Sequence, residues 1–290
     1  MDGDSFICLN CNGSRSVQFY HNCADLYLGK PVRVDYVRCE QCGLVQQSPV
    51  PEDVASFYEA YPVHESKSWL YDHARRLVMR QVYYDASALS PGHLLLDYGC
   101  GDGSYLESLK GNGLDLVGFE VDPAHAERLS QRLGIPVYCD VGALVSEYHS
   151  RVNVLAAHFV IEHVTNLDTA FAHISVLLAP GGIARIVVPN VSSWESRMFR
   201  TKWHGLDPPR HISFPDGRVV GAIASRHGMR LIEERAVAFP NGVAGSLATV
   251  LGGRFRYPLY LLFLPIDIVM SAVAPSGQMA YRLVKEGPSR

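Results

Sequence analysis

The chain has 290 residues, 48% of them hydrophobic and 19% charged. That is ordinary globular usage; it excludes a disordered or fibrous protein and leaves room for one large domain or two small ones. Lys+Arg 26 against Asp+Glu 29 leaves a formal net charge of -3, which disfavours a nucleic-acid partner.

The amino-terminal MDGDSFICLNCNG lacks the basic start and apolar run of a signal peptide. The expected location is therefore the cytoplasm, where paired thiols are metal ligands more often than disulfides. Residues 1–51 are the Cys-bearing segment, with a β-like run at 33–37. Residues 52–92 read as a helical cap: the aromatic cluster Phe57, Tyr58 and Tyr61, then Leu70, Ala74, Leu77, Val78 and Val82 near one helix face. From 93 to 290 short apolar runs alternate with helical segments. Strands are expected at 93–97, 115–120, 136–139, 152–157, 183–188, 229–238 and 279–285. Helices are expected at 104–110, 123–133, 168–178 and 216–227. Such alternation makes βαβ crossovers, hence an α/β fold with a largely parallel sheet and helices on both faces.

Cys8, Cys11, Cys39 and Cys42 form two CxxC pairs, with 27 residues between Cys11 and Cys39. Two-residue spacing lets both thiolates of a knuckle reach one tetrahedral Zn²⁺, and Gly43 supplies the turn after the second pair. Four thiolates leave no open position, so this zinc is expected to be structural. Buried free cysteines or a redox pair are the other readings. Cys23, Cys100 and Cys139 are expected to pack.

The run Asp97-Tyr98-Gly99-Cys100-Gly101-Asp102-Gly103 follows a strand and opens a helix, and the next strand ends in Glu120. Closely spaced glycines let the backbone approach a ligand, and an acid at the tip of the second strand can accept ribose hydroxyls. The spacing D-x-G-x-G-x-G resembles motif I of the class I S-adenosyl-L-methionine (SAM) dependent methyltransferases. His158 to Val164 and the turn Leu178 to Gly182 are similar to the "EHv…LkpGG" pattern of small-molecule branches of that superfamily. The resemblance implies a Rossmann-like seven-stranded sheet. It also implies Asp97, Gly99 and Gly101 on the methionine side of SAM, Glu120 on its ribose, Asp140 near adenine, and His158 beside the cofactor. The zinc knuckle resembles a subgroup associated with sugar and natural-product methylation, and certain ribosomal-RNA methyltransferases.

After the fifth strand comes a loop that is similar to the "W…LDPPRH" stretch of the same subgroup. It lies beyond a strand's carboxyl end, where ligands of open α/β sheets bind. It offers Trp203 and Arg210 as substrate contacts, Arg210 for an acidic group, and His211 as a base, with His163 beside it. Either histidine reads equally as a structural, hydrogen-bonded one. Tyr61 resembles the aromatic segment that closes over the cofactor, and a core role fits it equally.

The apolar stretch 257–275, part of an insert at 243–275, is interrupted by Pro265 and Asp267. A spanning helix needs ~20 apolar residues. A helical hairpin packed on the fold is expected, with peripheral contact to a membrane or lipid-linked substrate as the alternative. The expected activity is methyl transfer to an O, N or C acceptor on a small molecule, sugar or lipid-linked glycan. The alternatives are an RNA methyltransferase and a non-catalytic SAM-fold adaptor.

Overall fold

The computed structural model describes residues 6–58 and 89–287. Strands β1 (Ser16–Ala24), β2 (Arg33–Cys39), β3 (Val45–Gln47) and β9 (Ser213–Phe214) make an antiparallel sheet in that order. The larger sheet contains β4 (Leu94–Tyr98), β5 (Asp115–Phe119), β6 (Val137–Tyr138), β7 (Val152–His158), β8 (Leu178–Pro189), β10 (Met229–Ala236) and β11 (Gln278–Lys285). Its order is β10-β11-β8-β7-β4-β5-β6. The neighbours from β8 to β6 are parallel, and β11 runs antiparallel to both β8 and β10.

The central strands read as continuous apolar runs because helices cover both faces. Leu95, Leu96, Val154, Leu155, Ile186 and Val187 are all buried. The helices are α1 (Ser104–Leu109), α2 (Pro123–Leu133), α3 (Val141–Tyr148), α4 (Leu167–Leu177), α5 (Trp194–Phe199), α6 (Gly217–Arg226), α7 (Gly242–Gly252) and α8 (Tyr257–Val273). Several start on a side-chain cap: Asp122, Asn166 and Asp216 each accept the N–H three residues on, opening α2, α4 and α6.

β9 lies in the loop region beyond β8, yet it pairs with β3 of the Cys-bearing segment. Cys8, Cys39 and Leu44 share one buried cluster with Leu96, Leu155 and Ile186 of the main sheet. The amino-terminal segment is therefore packed into the fold at the end of the sheet where the loop after β8 begins.

The insert forms the helix pair α7 and α8. Asp267 of α8 is buried, and its carboxylate accepts the Ala244 N–H at 2.8 Å, satisfying the first turn of α7. The charge that interrupts the apolar run thus ties the two helices together. Among the described residues no helix is long and apolar enough to cross a membrane. The outer side of α8 nevertheless exposes Leu262, Ile266, Val269 and Val273.

Candidate active site

At the end of β4 the chain turns into α1 through Gly99, Gly101 and Gly103, whose φ angles are 83°, 52° and 73°. A Cβ on Gly99 would stand 2.5 Å from Val160 Cγ2, so the turn packs against the segment after β7 with no room for a side chain. Glu120, just beyond β5, accepts the Gly101 N–H at 3.0 Å. His125 Nε2 donates to the Gly101 carbonyl at 2.7 Å. Asp97 is buried directly behind this turn.

Burial, with the charges of Asp102 and Glu120 adding to it, pushes the Asp97 carboxyl up to about 8. Three acids gathered at one glycine turn favour a cationic ligand. A folded-state value above the unfolded one near ~3.9 means that the native protein binds the extra proton. Stability from this group is therefore present at about pH 4 and lost as pH rises toward 8. Asp97→Asn should remove that loss, holding the ligand-free protein's melting temperature steadier between these pH values. A pH–melting series checks this; the same pH dependence in the variant as in the wild type would mean that another group carries the loss.

Asp140 is exposed and caps α3, accepting the Ala143 N–H at 2.7 Å. His158 ends β7, its ring set edge-on to Tyr105 with centroids 4.8 Å apart. Burial, followed by Arg185, lowers its pKa to about 3, so its imidazole is neutral.

Past β7, Val160 leads into a short helical turn, Ile161–His163. The Ile212 N–H donates to the Glu162 carbonyl at 2.6 Å, and His163 Nδ1 donates to the Arg210 carbonyl at 3.0 Å. His211 Nδ1 donates to the Gly205 carbonyl at 2.9 Å. These bonds bring the His163 and His211 rings edge to face, centroids 4.7 Å apart. Burial, then the neighbouring His163, lowers His211 to about 3; burial also lowers His163.

The amino-terminal sheet grips the same loop from the other side. Tyr36 donates its hydroxyl to the His211 carbonyl at 2.8 Å, and Gln47 donates to the carbonyls of Pro209 and His211 at 2.7 and 2.8 Å. Arg210, expected to meet an acidic substrate group, is placed elsewhere. Its side chain is 0% exposed, and its guanidinium forks onto Asp25 with two 3.0 Å bonds and onto Asp207. Trp203 is likewise buried, in the cluster containing Tyr36, Leu206 and Phe214. In this structure both side chains hold the loop in place. Tyr61 lies outside the described residues.

Nothing in the sequence points to the roles of Asp25, Tyr36 and Gln47. No motif marks them, since each partner lies more than 160 residues away.

The four cysteines of the CxxC pairs converge: Cys8 and Cys42 Sγ are 3.4 Å apart, Cys11 and Cys39 Sγ 3.6 Å, and all four lie within 4.8 Å of one another. Tetrahedral thiolates at ~2.3 Å from zinc stand roughly 3.8 Å apart, so the donor set fits the ion. Gly43 turns away from the second pair with φ 83°. Cys23 and Cys100 are buried as expected; Cys139 is exposed, correcting its reading as a packing residue, because β6 ends at the sheet edge.

The sheet order with its antiparallel β11, the glycine turn and the acid at the tip of β5 define a class I SAM-dependent methyltransferase fold. Residues 71–234 match a family model described as "Methyltransferase domain". That is more than half of the chain, and the chain belongs to this family. It is similar to the C-methyltransferase NovU of Streptomyces niveus, 24% identical over 208 residues that cover 69% of this chain and 47% of NovU. The chain thus spans about half the length of that relative. In structure it is similar to a SAM-dependent methyltransferase from Archaeoglobus fulgidus (13% identity, TM-score 0.51, 76% of this chain and 100% of that one). A chain of the Haloferax volcanii complex between the Trm112 methyltransferase activator and a methyltransferase is similar as well (11% identity, TM-score 0.52, 81% and 94% covered).

Proposed function

We propose that this protein moves the methyl group of SAM to an O, N or C acceptor on a small molecule, sugar or lipid-linked glycan. The observation that carries the reading is the acid-ringed glycine turn, with Glu120 against Gly101 and Asp97 buried behind it. Asp97, Gly99 and Gly101 would hold the methionine end, Glu120 the ribose and Asp140 the adenine, and His158 would stand beside the cofactor. When bound, SAM supplies an electrophilic methyl group on a sulfonium. The chain's own residues orient the acceptor in line with it and exclude water. NovU, by its name a C-methyltransferase, supports a carbon acceptor among the three.

His163 and His211 are the candidate catalytic residues, held at the carboxyl end of the sheet by their carbonyl partners. The Cys8, Cys11, Cys39 and Cys42 cluster would bind a structural Zn²⁺.

Native mass spectrometry with and without SAM tests the reading; one SAM or S-adenosylhomocysteine per chain is expected, and no adduct at millimolar SAM would refute it. Once an acceptor is found, His211→Ala should lower kcat by about 10²-fold or more while leaving SAM affinity intact. An unchanged kcat removes His211 from the mechanism.

The exposed apolar side of α8 supports a lipid-linked acceptor or a membrane surface. Liposome flotation at low salt should carry the protein upward, and Val269→Glu together with Leu262→Glu should abolish the effect. Wild-type protein that stays at the bottom argues for a water-soluble acceptor.

A further inference from the structure

Glu162, His163 and His211 each offer a metal-ligating atom within 4.8 Å of the other two. Glu162 is 0% exposed, and among the described residues no other residue donates a hydrogen bond to either carboxylate oxygen. A buried carboxylate is retained when a cation or a donor meets it. The two imidazoles are set up as acceptors. His163 Nδ1 faces the Arg210 carbonyl at 3.0 Å and His211 Nδ1 the Gly205 carbonyl at 2.9 Å. A carbonyl only accepts, so each ring carries its proton on Nδ1 and its lone pair on Nε2. A carbonyl-bound Nδ1–H is the usual outer partner of a metal-ligating histidine.

The arrangement is also rigid. The Ile212 N–H to Glu162 carbonyl bond joins the two chain segments, and Tyr36 and Gln47 pin the His211 carbonyl. We propose that Glu162, His163 and His211 bind a first-row divalent transition cation at a second metal site, separate from the four cysteines. Two imidazoles and one carboxylate suit zinc, iron or cobalt, whereas the four thiolates select zinc. Three protein ligands leave coordination positions open. His163 is the least buried of the three and marks the way in.

The site adjoins the cofactor turn, because Val160, two residues before Glu162, packs where a Gly99 Cβ would lie. The acceptor class that fills the open positions is one presenting adjacent oxygens, a hydroxyl beside a second hydroxyl or a ketone. This last step rests on the methyltransferase reading. His163 and His211 then act on the acceptor through the cation.

The test is equilibrium dialysis of the full chain against Zn²⁺ without SAM, with bound zinc counted per chain. Wild-type protein should hold one equivalent more than Glu162→Gln and His211→Ala. Zinc should raise the melting temperature of wild type above its four-cysteine-loaded value and leave that of Glu162→Gln where it was. Glu162→Gln is the variant least prone to misfold, because its amide can donate to an imidazole lone pair. Equal zinc content in wild type and both variants overturns the proposal. SAM uptake on the same samples separates the two ideas: SAM bound without the extra zinc sinks the cation site alone, and extra zinc without SAM sinks the acceptor step alone.

Discussion

Arg210→Leu lowers the stability of this protein by about 3–5 kcal/mol, the usual cost of removing one partner from a buried charge pair. The guanidinium is closed off from solvent, and its bonds go to Asp25 at 3.0 Å and to Asp207 at 2.6 and 2.9 Å. Deleting it strands two buried carboxylates and cuts the link between the segment after β1 and the loop before β9. Arg210→Lys does not restore the wild type, because one ammonium nitrogen cannot reproduce the planar fork whose three nitrogens bond both carboxylates. Adding Asp25→Asn and Asp207→Asn to Arg210→Leu recovers much of the loss, since uncompensated charge and not lost volume is the main cost. Urea unfolding of the set decides the matter. A defect in Arg210→Leu below about 1 kcal/mol, the median for exposed pairs, would mean that solvent reaches the cluster.

That cluster also shows where sequence reading ran out. From β4 to β8 the fold was legible, because parallel strands covered on both faces read as apolar runs, and α2 and α4 begin on visible caps, Asp122 and Asn166. α3 escaped notice. Its start signal, Asp140, is also the residue that the family resemblance puts near adenine, and a carboxylate that caps a helix looks the same in sequence. β1 was hidden by register shifts near Tyr20, which break the period-2 alternation. β9 has two residues and exists only because β3 offers it an edge. The loop from Trp203 to His211 drew attention because it concentrates ring, imidazole and guanidinium groups. Chemistry-rich residues serve a substrate or the protein's own interior with the same side chains. Only the fold shows that Arg210 answers Asp25, 185 positions away.

Cys39→Ala should abolish zinc uptake by the four-cysteine cluster and loosen the loop from Trp203 to Phe214. The physical route runs through the sheet. Cys39 ends β2, β2 pairs with β3, and β3 pairs with β9. Tyr36 of β2 and Gln47 of β3 hold the carbonyl of His211. Structural zinc sites supply roughly 10–16 kcal/mol of apparent binding energy to small folds, comparable to a typical domain's whole stability of about 5–15 kcal/mol. Loss of zinc from the four cysteines should therefore melt the amino-terminal sheet locally, while the sheet face packed by α1 and α2, whose buried cluster contains no residue of 6–58, stays folded. Hydrogen exchange of the zinc-free protein should rise across 16–47 and 204–214, and SAM affinity should stay within about threefold, less than ~1 kcal/mol. Turnover should fall in parallel with His211→Ala, because the same loop is displaced. If exchange across 204–214 is unchanged once the zinc is gone, the knuckle stands alone and the loop is held by Arg210 and the main sheet.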